Sequence, residues 1–532
     1  MEDKAVYRVL VADNLSPKGI EILKKNKAIK CYVWTDFSPG ELRATIGEYH
    51  GIIIRSKTRL TADIINASER LTVIGRAGIG VDNIDVQAAT RKGIVVMNTP
   101  RENAEAAAEH TIAMMLAISR NIPQANTSTK SGKWERSKFM GVELYNKKLG
   151  IIGIGNIGSL VAERAQGLKM SVIAHDPYIP GDAASQKGIP LTTLDDVLSQ
   201  SDYISIHTPL TEETRNLIDA EAFKRMKKGV MIINCARGGI VNEKALLHAL
   251  KSGKVRGAAL DVFESEPARE NPLFKMDNVI CTPHIGASTS EAQENVAGAI
   301  ADQIVDFFIN KRIRNAVNIP VVSPDVLPVV KPYLDLGEKL GSFLTQISDV
   351  AIEELSIEYK GTVAEYNASP ITVSILRGLL TPYMGDVVNF VNASIIAKDR
   401  GIRVRESKST MAEDFASMVA ITAKGRGMQN YIAGALFGTK DFRIIQINNF
   451  LIEAVPKGHM LLIHNYDKPG VIGNLGTALG NRNINIATMQ FSRDRMGGVA
   501  ISLLHLDSII SKEMTEELLE LPNVISVKNI EL

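Results

Sequence analysis

Three polar residues suited to proton transfer and carboxylate binding each follow an apolar, β-branched run: Arg237 after Val230–Asn234, Glu266 after Gly257–Val262, and His284 after Val279–Thr282. If the runs are parallel strands of one sheet, all three side chains lie at its carboxyl edge, where open α/β sheets bind ligands. Oxidising a hydroxy acid needs a base for the hydroxyl proton, and histidine titrates in the right range. A carboxylate such as Glu266 would orient the imidazole and favour its protonated form, while a guanidinium such as Arg237 can grip a carboxylate and polarise a carbonyl. Taken singly, each has a bland alternative: a surface ion pair for Arg237 and Glu266, a satisfied histidine for His284. Their shared edge with a cofactor loop favours the chemical reading.

That loop is Gly153-Ile154-Gly155-Asn156-Ile157-Gly158, which follows the run Leu149–Ile152 and opens a helical stretch to about Lys169. The first glycine permits a tight turn, the second lets backbone approach a pyrophosphate, and the third lets the helix pack on the strand. Helix N-terminal amides then face the phosphates. Alone the pattern is weak, but a second strand ends in Asp176, eighteen positions after Gly158, where a ribose-binding acid is expected. A carboxylate there bonds the ribose hydroxyls of NAD and repels the extra phosphate of NADP; the alternative is a structural turn and a surface aspartate. NAD is the expected cofactor and no metal site is expected.

The elements that must position these residues form two alternating series. From residue 7 to about 98 the clearest strands are Val9–Val11, Ile52–Ile54, Val73–Ile74 and Ile94–Met97. From 149 onward they are Leu149–Ile152, Val172–Ala174, Tyr203–Ile206, Val230–Ile233, Gly257–Leu260 and Val279–Cys281. Such alternation predicts two parallel α/β sheets, joined by a buried helix beginning near Asn103, with a ligand cleft between them. Pro320, Pro324, Pro328 and Pro332 at intervals of four predict a domain boundary rather than a helix. A third domain extends to about Val455, and Met460–Leu532 reads as a separate βαββαβ module.

Bulk properties exclude several classes. The 532 residues suggest three to four domains, and 61 basic against 59 acidic residues, a net charge of +2, give no field implying nucleic acid or anionic membrane. The longest apolar stretch, Ala104–Ile118, is interrupted by Glu105, Glu109 and His110 and is too short to span a bilayer. Cys31, Cys235 and Cys281 lack metal or disulfide spacing, and the N-terminus lacks a secretory pattern, so the expected location is cytoplasmic.

The glycine loop with Asp176, Asn234-Cys235-Ala236-Arg237-Gly238-Gly239, Asp261–Pro267 and Pro283–Thr289 together resemble the D-isomer-specific 2-hydroxyacid dehydrogenases over residues 1 to about 318. The resemblance implies that Arg237, Glu266 and His284 are catalytic. It also implies a discontinuous, flavodoxin-like substrate domain, 1–100 plus 290–318, around a Rossmann NAD domain, 101–289: two doubly wound parallel sheets. Trp134, in a polar segment, is expected at a dimer interface, with packing on its own domain as the alternative.

Arg55 and Arg76 follow apolar strands of the first series, and with Lys57 nearby they could receive a phosphate; otherwise they are edge cations satisfied by helix C-termini or water. The segments Arg55–Thr58, Arg76–Asn83 and Pro100–Asn103 are similar to those of the phosphoglycerate dehydrogenases within the family. This implies 3-phospho-D-glycerate as substrate and Arg55, Ser56, Lys57, Arg76, Gly78 and Asn103 as its binding residues. The tail resembles an ACT regulatory domain, 457–532, through Asn465–Ile472 and Asn483–Ile486, after an α+β intervening domain, 319–456. By that resemblance L-serine binds between paired domains through Asn465, Asp467 and Asn485, in a homodimer or homotetramer; Asp467 suits an ammonium. Arg400, Arg403, Arg405 and Lys408 read as a solvated charge run rather than an anion site. Two alternatives stay open: a glyoxylate or hydroxypyruvate reductase, which hardly needs Arg55 or the tail, and a non-catalytic nucleotide-sensing regulator.

Overall fold

Short Val- and Ile-rich runs buried on both faces make parallel strands, since helices cover both sides of such sheets. A computed structural model describes residues 6–180, 188–320, 322, 325–411, 415–438 and 440–532. The first sheet contains β1 (Tyr7–Val11), β2 (Ile29–Val33), β3 (Gly51–Ile54), β4 (Val73–Arg76) and β5 (Val95–Met97), all parallel in the order β2-β1-β3-β4-β5. Sequence reading missed β2, whose Lys30 and partly exposed middle break the apolar run; pairing with β1 supplies what local pattern lacks.

The second sheet contains β6 (Lys148–Ile152), β7 (Ser171–His175), β8 (Tyr203–Ile206), β9 (Val230–Asn234), β10 (Val255–Leu260) and β11 (Val279–Cys281), parallel in the order β11-β10-β9-β8-β6-β7. Leu191 adds a single parallel bridge to Ala174 on β7, a vestigial outer strand. Strand order reverses between β6 and β8, the switch point where a doubly wound sheet opens a crevice.

Two helices tie the sheets together. Ala104–Ser119 begins at Asn103 and packs on β9, β10 and β11 of the second sheet. Ser290–Val305 returns the chain to the first, placing Val296, Ile300 and Ile304 in one core with Val9, Val11 and Val73.

The helix Leu327–Ile347 contains Pro328 in its first turn and Pro332 within it, whereas the proline spacing predicts no helix; Pro324 lies outside the described residues. Pro328 occupies a turn whose N–H groups have no intrahelical partner, and Pro332 sacrifices one bond near that end while staying buried. This helix and Ser369–Met384 cover a mixed sheet of β12 (Glu354–Gly361), β13 (Arg403–Ser409), β14 (Ser417–Gly425), β15 (Met428–Phe437), β16 (Asp441–Ile447) and β17 (Phe450–Ala454).

The last module has β18 (His459–Tyr466), helix Val471–Asn481, β19 (Ile486–Arg493), β20 (Val499–Leu506), helix Lys512–Leu519 and β21 (Val524–Glu531), in sheet order β19-β20-β18-β21. Its helices cover one face of its sheet. From the other face Met460, Leu462, Ile501, Leu503 and Ile530 join Leu340 and Phe343 of the preceding domain in one continuous core. The module is therefore less separate than its sequence pattern suggests. Among the described residues no helix is long and apolar enough to cross a membrane.

Candidate active site

Glu266 and His284 meet at the carboxyl ends of β10 and β11, with Nδ1 of His284 2.7 Å from Oε2 of Glu266. Burial works to raise the Glu266 carboxyl, but the hydrogen bond and charge of His284 and the Phe263 amide outweigh it and hold the group below the usual carboxylate range. His284 itself sits at φ 55°, a left-handed conformation uncommon for non-glycine residues. Asp261, absent from the sequence reading as a site residue, holds that loop. Fully buried, it accepts from Thr282 Oγ1 at 2.6 Å, Ile285 N at 2.8 Å and Gly286 N at 2.8 Å. Asp261 also lies 3.4 Å from Nε2 of His110.

Arg237 contacts neither Glu266 nor His284 through a hydrogen bond among the described residues. Its Nε donates instead to Asp82 Oδ2 at 2.8 Å, from the loop after β4 of the other sheet. Cys235 beside it is no nucleophile, because burial and then the Asp261 charge push its thiol up to about 12. His207, another histidine at this edge, is driven by burial down to about 4, and its Nε2 pairs with Ser205 Oγ at 2.8 Å. That ring stays neutral and has no carboxylate partner among the described residues, whereas His284 has one in Glu266.

The glycine loop fits a dinucleotide. Gly153 has φ 91°, and a Cβ there would meet His207 O at 2.8 Å; at Gly158 it would lie 2.0 Å from Gly153 O. Nothing lies within 4 Å of the Cβ position of Gly155, so backbone is open to a ligand where the helix Asn156–Gly167 starts. Asp176, just past β7, accepts from Ile154 N and Tyr178 N at 3.0 Å each, and each carboxylate oxygen retains acceptor capacity for a ribose hydroxyl. Asn156 Nδ2 donates to Pro100 O at 2.9 Å and so bridges toward the first sheet, while Ile157 packs beside its helix's core.

The first sheet brings some of its expected cations together and not others. Arg76 is pulled down to about 10 by burial first and the Arg237 charge second, with Arg55 adding to the repulsion, so the three guanidiniums share one region. Arg76 Nε and Asn103 Oδ1 are buried without partners among the described residues, polar atoms left for a ligand. The Arg76 Nη1 group lies against Gly78, where a Cβ would come within 1.6 Å. Arg55 donates through Nη1 to Asn14 O at 2.9 Å, and buried Asp13 anchors its loop by accepting from Arg55 N at 2.5 Å and Thr58 Oγ1 at 2.7 Å. Lys57 is placed elsewhere: its Nζ donates to Thr35 O at 3.0 Å, lies 4.0 Å from Asp36 Oδ1, and the side chain lines a cavity beside Phe37 and Ile64. Ser56 is exposed and forms no side-chain hydrogen bond among the described residues.

In the last module Asn465 is fully buried, donating to Tyr466 O at 3.0 Å and accepting from Ser502 Oγ at 3.3 Å. Both ends of its amide are thus engaged inside the domain. Asp467 accepts from Gly497 N at 3.0 Å and Arg493 Nη1 at 2.9 Å, bonds that hold its carboxyl below the usual range. Asn485 donates to Asp507 at 2.8 Å. The pairing of His459 with Leu506 and Tyr466 with Val499 puts Asn485 and Asp467 at opposite ends of the sheet within one chain. The basic cluster is largely committed, with Arg403 and Arg405 both on Glu354 and Lys408 on Tyr366 O. Among the described residues no group of three or more His, Cys, Asp or Glu could hold a metal ion.

Residues 112–286 match the D-isomer specific 2-hydroxyacid dehydrogenase NAD binding domain, 329–448 the D-3-phosphoglycerate dehydrogenase intervening domain, and 459–523 the ACT domain. D-3-phosphoglycerate dehydrogenase of Archaeoglobus fulgidus is 44% identical over 99% of this chain and 100% of its own; that of Bacillus subtilis is 40% identical over 99% and 100%. Among solved structures, D-lactate dehydrogenase from Aquifex aeolicus, complexed with NAD and lactic acid, is 30% identical with a TM-score of 0.52 over 59% of this chain and 100% of that one. The chain belongs to the D-3-phosphoglycerate dehydrogenase family and is an NAD-dependent dehydrogenase.

Proposed function

We propose that the chain oxidises 3-phospho-D-glycerate to 3-phosphohydroxypyruvate, the entry to serine synthesis, and that L-serine inhibits it through the ACT domain. The observation carrying the substrate is the convergence of Arg55, Arg76 and Arg237 on one region with buried polar atoms left unpartnered. A substrate bearing both carboxylate and phosphate supplies two anions to such a site, whereas glyoxylate supplies one. The catalytic half also resembles a glyoxylate reductase from Paecilomyes thermophila, at 29% identity and TM-score 0.55, but that chain matches only 59% of this one and offers no counterpart to the tail.

NAD, when bound, supplies the hydride acceptor for C2. His284 does the proton work: Glu266 accepts from Nδ1, so Nε2 carries the lone pair that takes the hydroxyl proton. Glu266 then stabilises the imidazolium. Arg237 grips the carboxylate and polarises the developing carbonyl, while Arg76, Gly78 and Asn103 complete the carboxylate site and Arg55 and Ser56 meet the phosphate. Lys57 reaches the phosphate only by leaving Thr35. In this assignment residues 1–100 and 290–318 bind substrate, 101–289 bind NAD, and 319–456 and 457–532 regulate, in a cytoplasmic homodimer or homotetramer to which the exposed Trp134 contributes. Following NADH formation from 3-phospho-D-glycerate, with and without serine, tests the assignment: no turnover with this acid overturns it.

A further inference from the structure

We propose that Asp82 is the positioning residue for Arg237: a carboxylate carried by the first sheet's domain orients, across the cleft, the guanidinium that the second sheet's domain offers to the substrate carboxylate. This rests on Arg237 being the carboxylate-gripping residue of the proposed reaction.

The geometry is specific. Arg237 follows β9, and Asp82 lies 155 positions away in the loop after β4. Nε donates to Asp82 Oδ2 at 2.8 Å and Nη1 to Ala236 O at 2.6 Å, so two of three guanidinium nitrogens are tied and the plane is fixed. The remaining nitrogen, Nη2, lies flush with the same loop: a Cβ on Gly80 would be 1.7 Å from it. The loop therefore both holds and fits the guanidinium.

Crowding of like charges explains why an anchoring acceptor is needed. Arg237 and Arg76 repel one another, Arg55 adds to the repulsion, and Asp82 is the first of the acids opposing it, ahead of Asp13. Without Asp82, Arg237 is free to swing away from Arg76 toward solvent. Asp82 also repels an incoming anion, so the two effects compete. Its side chain is 55% exposed, which screens that repulsion, whereas the directional bond to Nε survives in water-exposed surroundings only because Ala236 O fixes the second point. Orientation is the larger effect, because small misplacements of a positioning group are expensive in rate.

The test is a double-mutant cycle on the full chain with Asp82→Ala, Asp82→Asn, Arg237→Ala and the Asp82→Ala/Arg237→Ala pair. The readouts are kcat, KM for the hydroxy acid, and affinity of the NADH-bound enzyme for oxamate, which needs no turnover. Asp82→Ala should raise KM and weaken oxamate by about 10- to 100-fold, with a smaller change in kcat. Asp82→Asn, whose amide oxygen still accepts from Nε, should stay within about threefold of wild type. In the Arg237→Ala background, Asp82→Ala should add nothing. Tighter binding in Asp82→Ala, or an equal loss with and without Arg237, overturns the proposal. Failure of 3-phospho-D-glycerate as a substrate would overturn the functional assignment alone, since the oxamate cycle still reports on Asp82.

Discussion

Oε2 of Glu266 and Nδ1 of His284 are 2.7 Å apart although the residues come from the ends of different strands. The pairing leaves only Nε2 for proton exchange with a ligand, which makes the first prediction directional. His284→Ala should reduce turnover by about 10²- to 10⁴-fold, while NADH binding, followed by fluorescence titration, is retained. Turnover near the wild-type rate would remove His284 from the mechanism.

Asp261 offers a prediction about pH. Burial raises its carboxyl, yet hydrogen bonds from His110, Thr282 and the Ile285 and Gly286 amides prevail and the group is held below its ordinary value. A folded-state value below the unfolded one means that the stabilisation is complete above about pH 4. It is lost as pH falls through the depressed value. Each carboxylate oxygen accepts from one backbone amide, so Asp261→Asn turns one acceptor into a donor facing the Ile285 or the Gly286 N–H, which should destabilise the chain by about 2–3 kcal/mol at neutral pH. Its melting temperature should also fall less steeply between about pH 4 and pH 2 than that of the wild type; parallel acid profiles for the two proteins would contradict this.

Asp176 does two jobs, so its removal should have two effects. Its bonds to Ile154 and Tyr178 amides brace the glycine loop, and its free acceptor capacity suits a ribose. Asp176→Ala should raise KM for NAD and narrow the preference for NAD over NADP by about tenfold or more. An unchanged NAD/NADP ratio of kcat/KM would show that specificity lies elsewhere.

The contrast between these residues shows what the sequence makes legible. Glu266 and His284 are readable because each ends an apolar run, and strand ends of one parallel sheet must share an edge. Asp82 and Asp261 sit inside motif segments but carry no periodic signal; their roles exist only through residues 155 and 24 positions away. Asn465 resembles a ligand-binding amide by motif, yet burial gives it internal partners. Pro332 misleads for a similar reason: proline spacing reports local backbone preference, while the packing of Leu336, Leu340 and Phe343 holds the helix through it.

The shared core of the tail governs how the proposed inhibition by serine can be tested. Deleting 457–532 removes Met460, Leu462, Ile501, Leu503 and Ile530 from a core that includes Leu340 and Phe343, so the remainder should aggregate or lose its cooperative melt. A chain ending near residue 320 instead removes Val391 from the first sheet's core, a much smaller loss. Light scattering of the two truncations distinguishes them, and a well-behaved, cooperatively melting chain ending at 456 would refute the shared-core argument.

The proposed serine inhibition is therefore better probed by substitution. Asp467 follows the end of β18, whereas Asn485 precedes β19 beside the end of β20, level with the start of β18, a separation along the strands of about 23 Å for seven residue steps. No single amino acid spans that, so the two can serve one ligand only if Asp467 of one chain meets Asn485 of a second. Across a two-fold axis each dimer then has two such sites. Asp467→Ala and Asn485→Ala should each weaken serine inhibition, measured against the variant's own uninhibited rate, with a coupling loss of about 1–3 kcal/mol. Mixed dimers of the two variants are the sharper experiment. One site then lacks both groups, while the other combines an intact Asp467 with an intact Asn485, so serine sensitivity should partly return on mixing and refolding or co-expression. Mixed dimers no more sensitive than either parent would show that the two residues do not share a ligand across the interface.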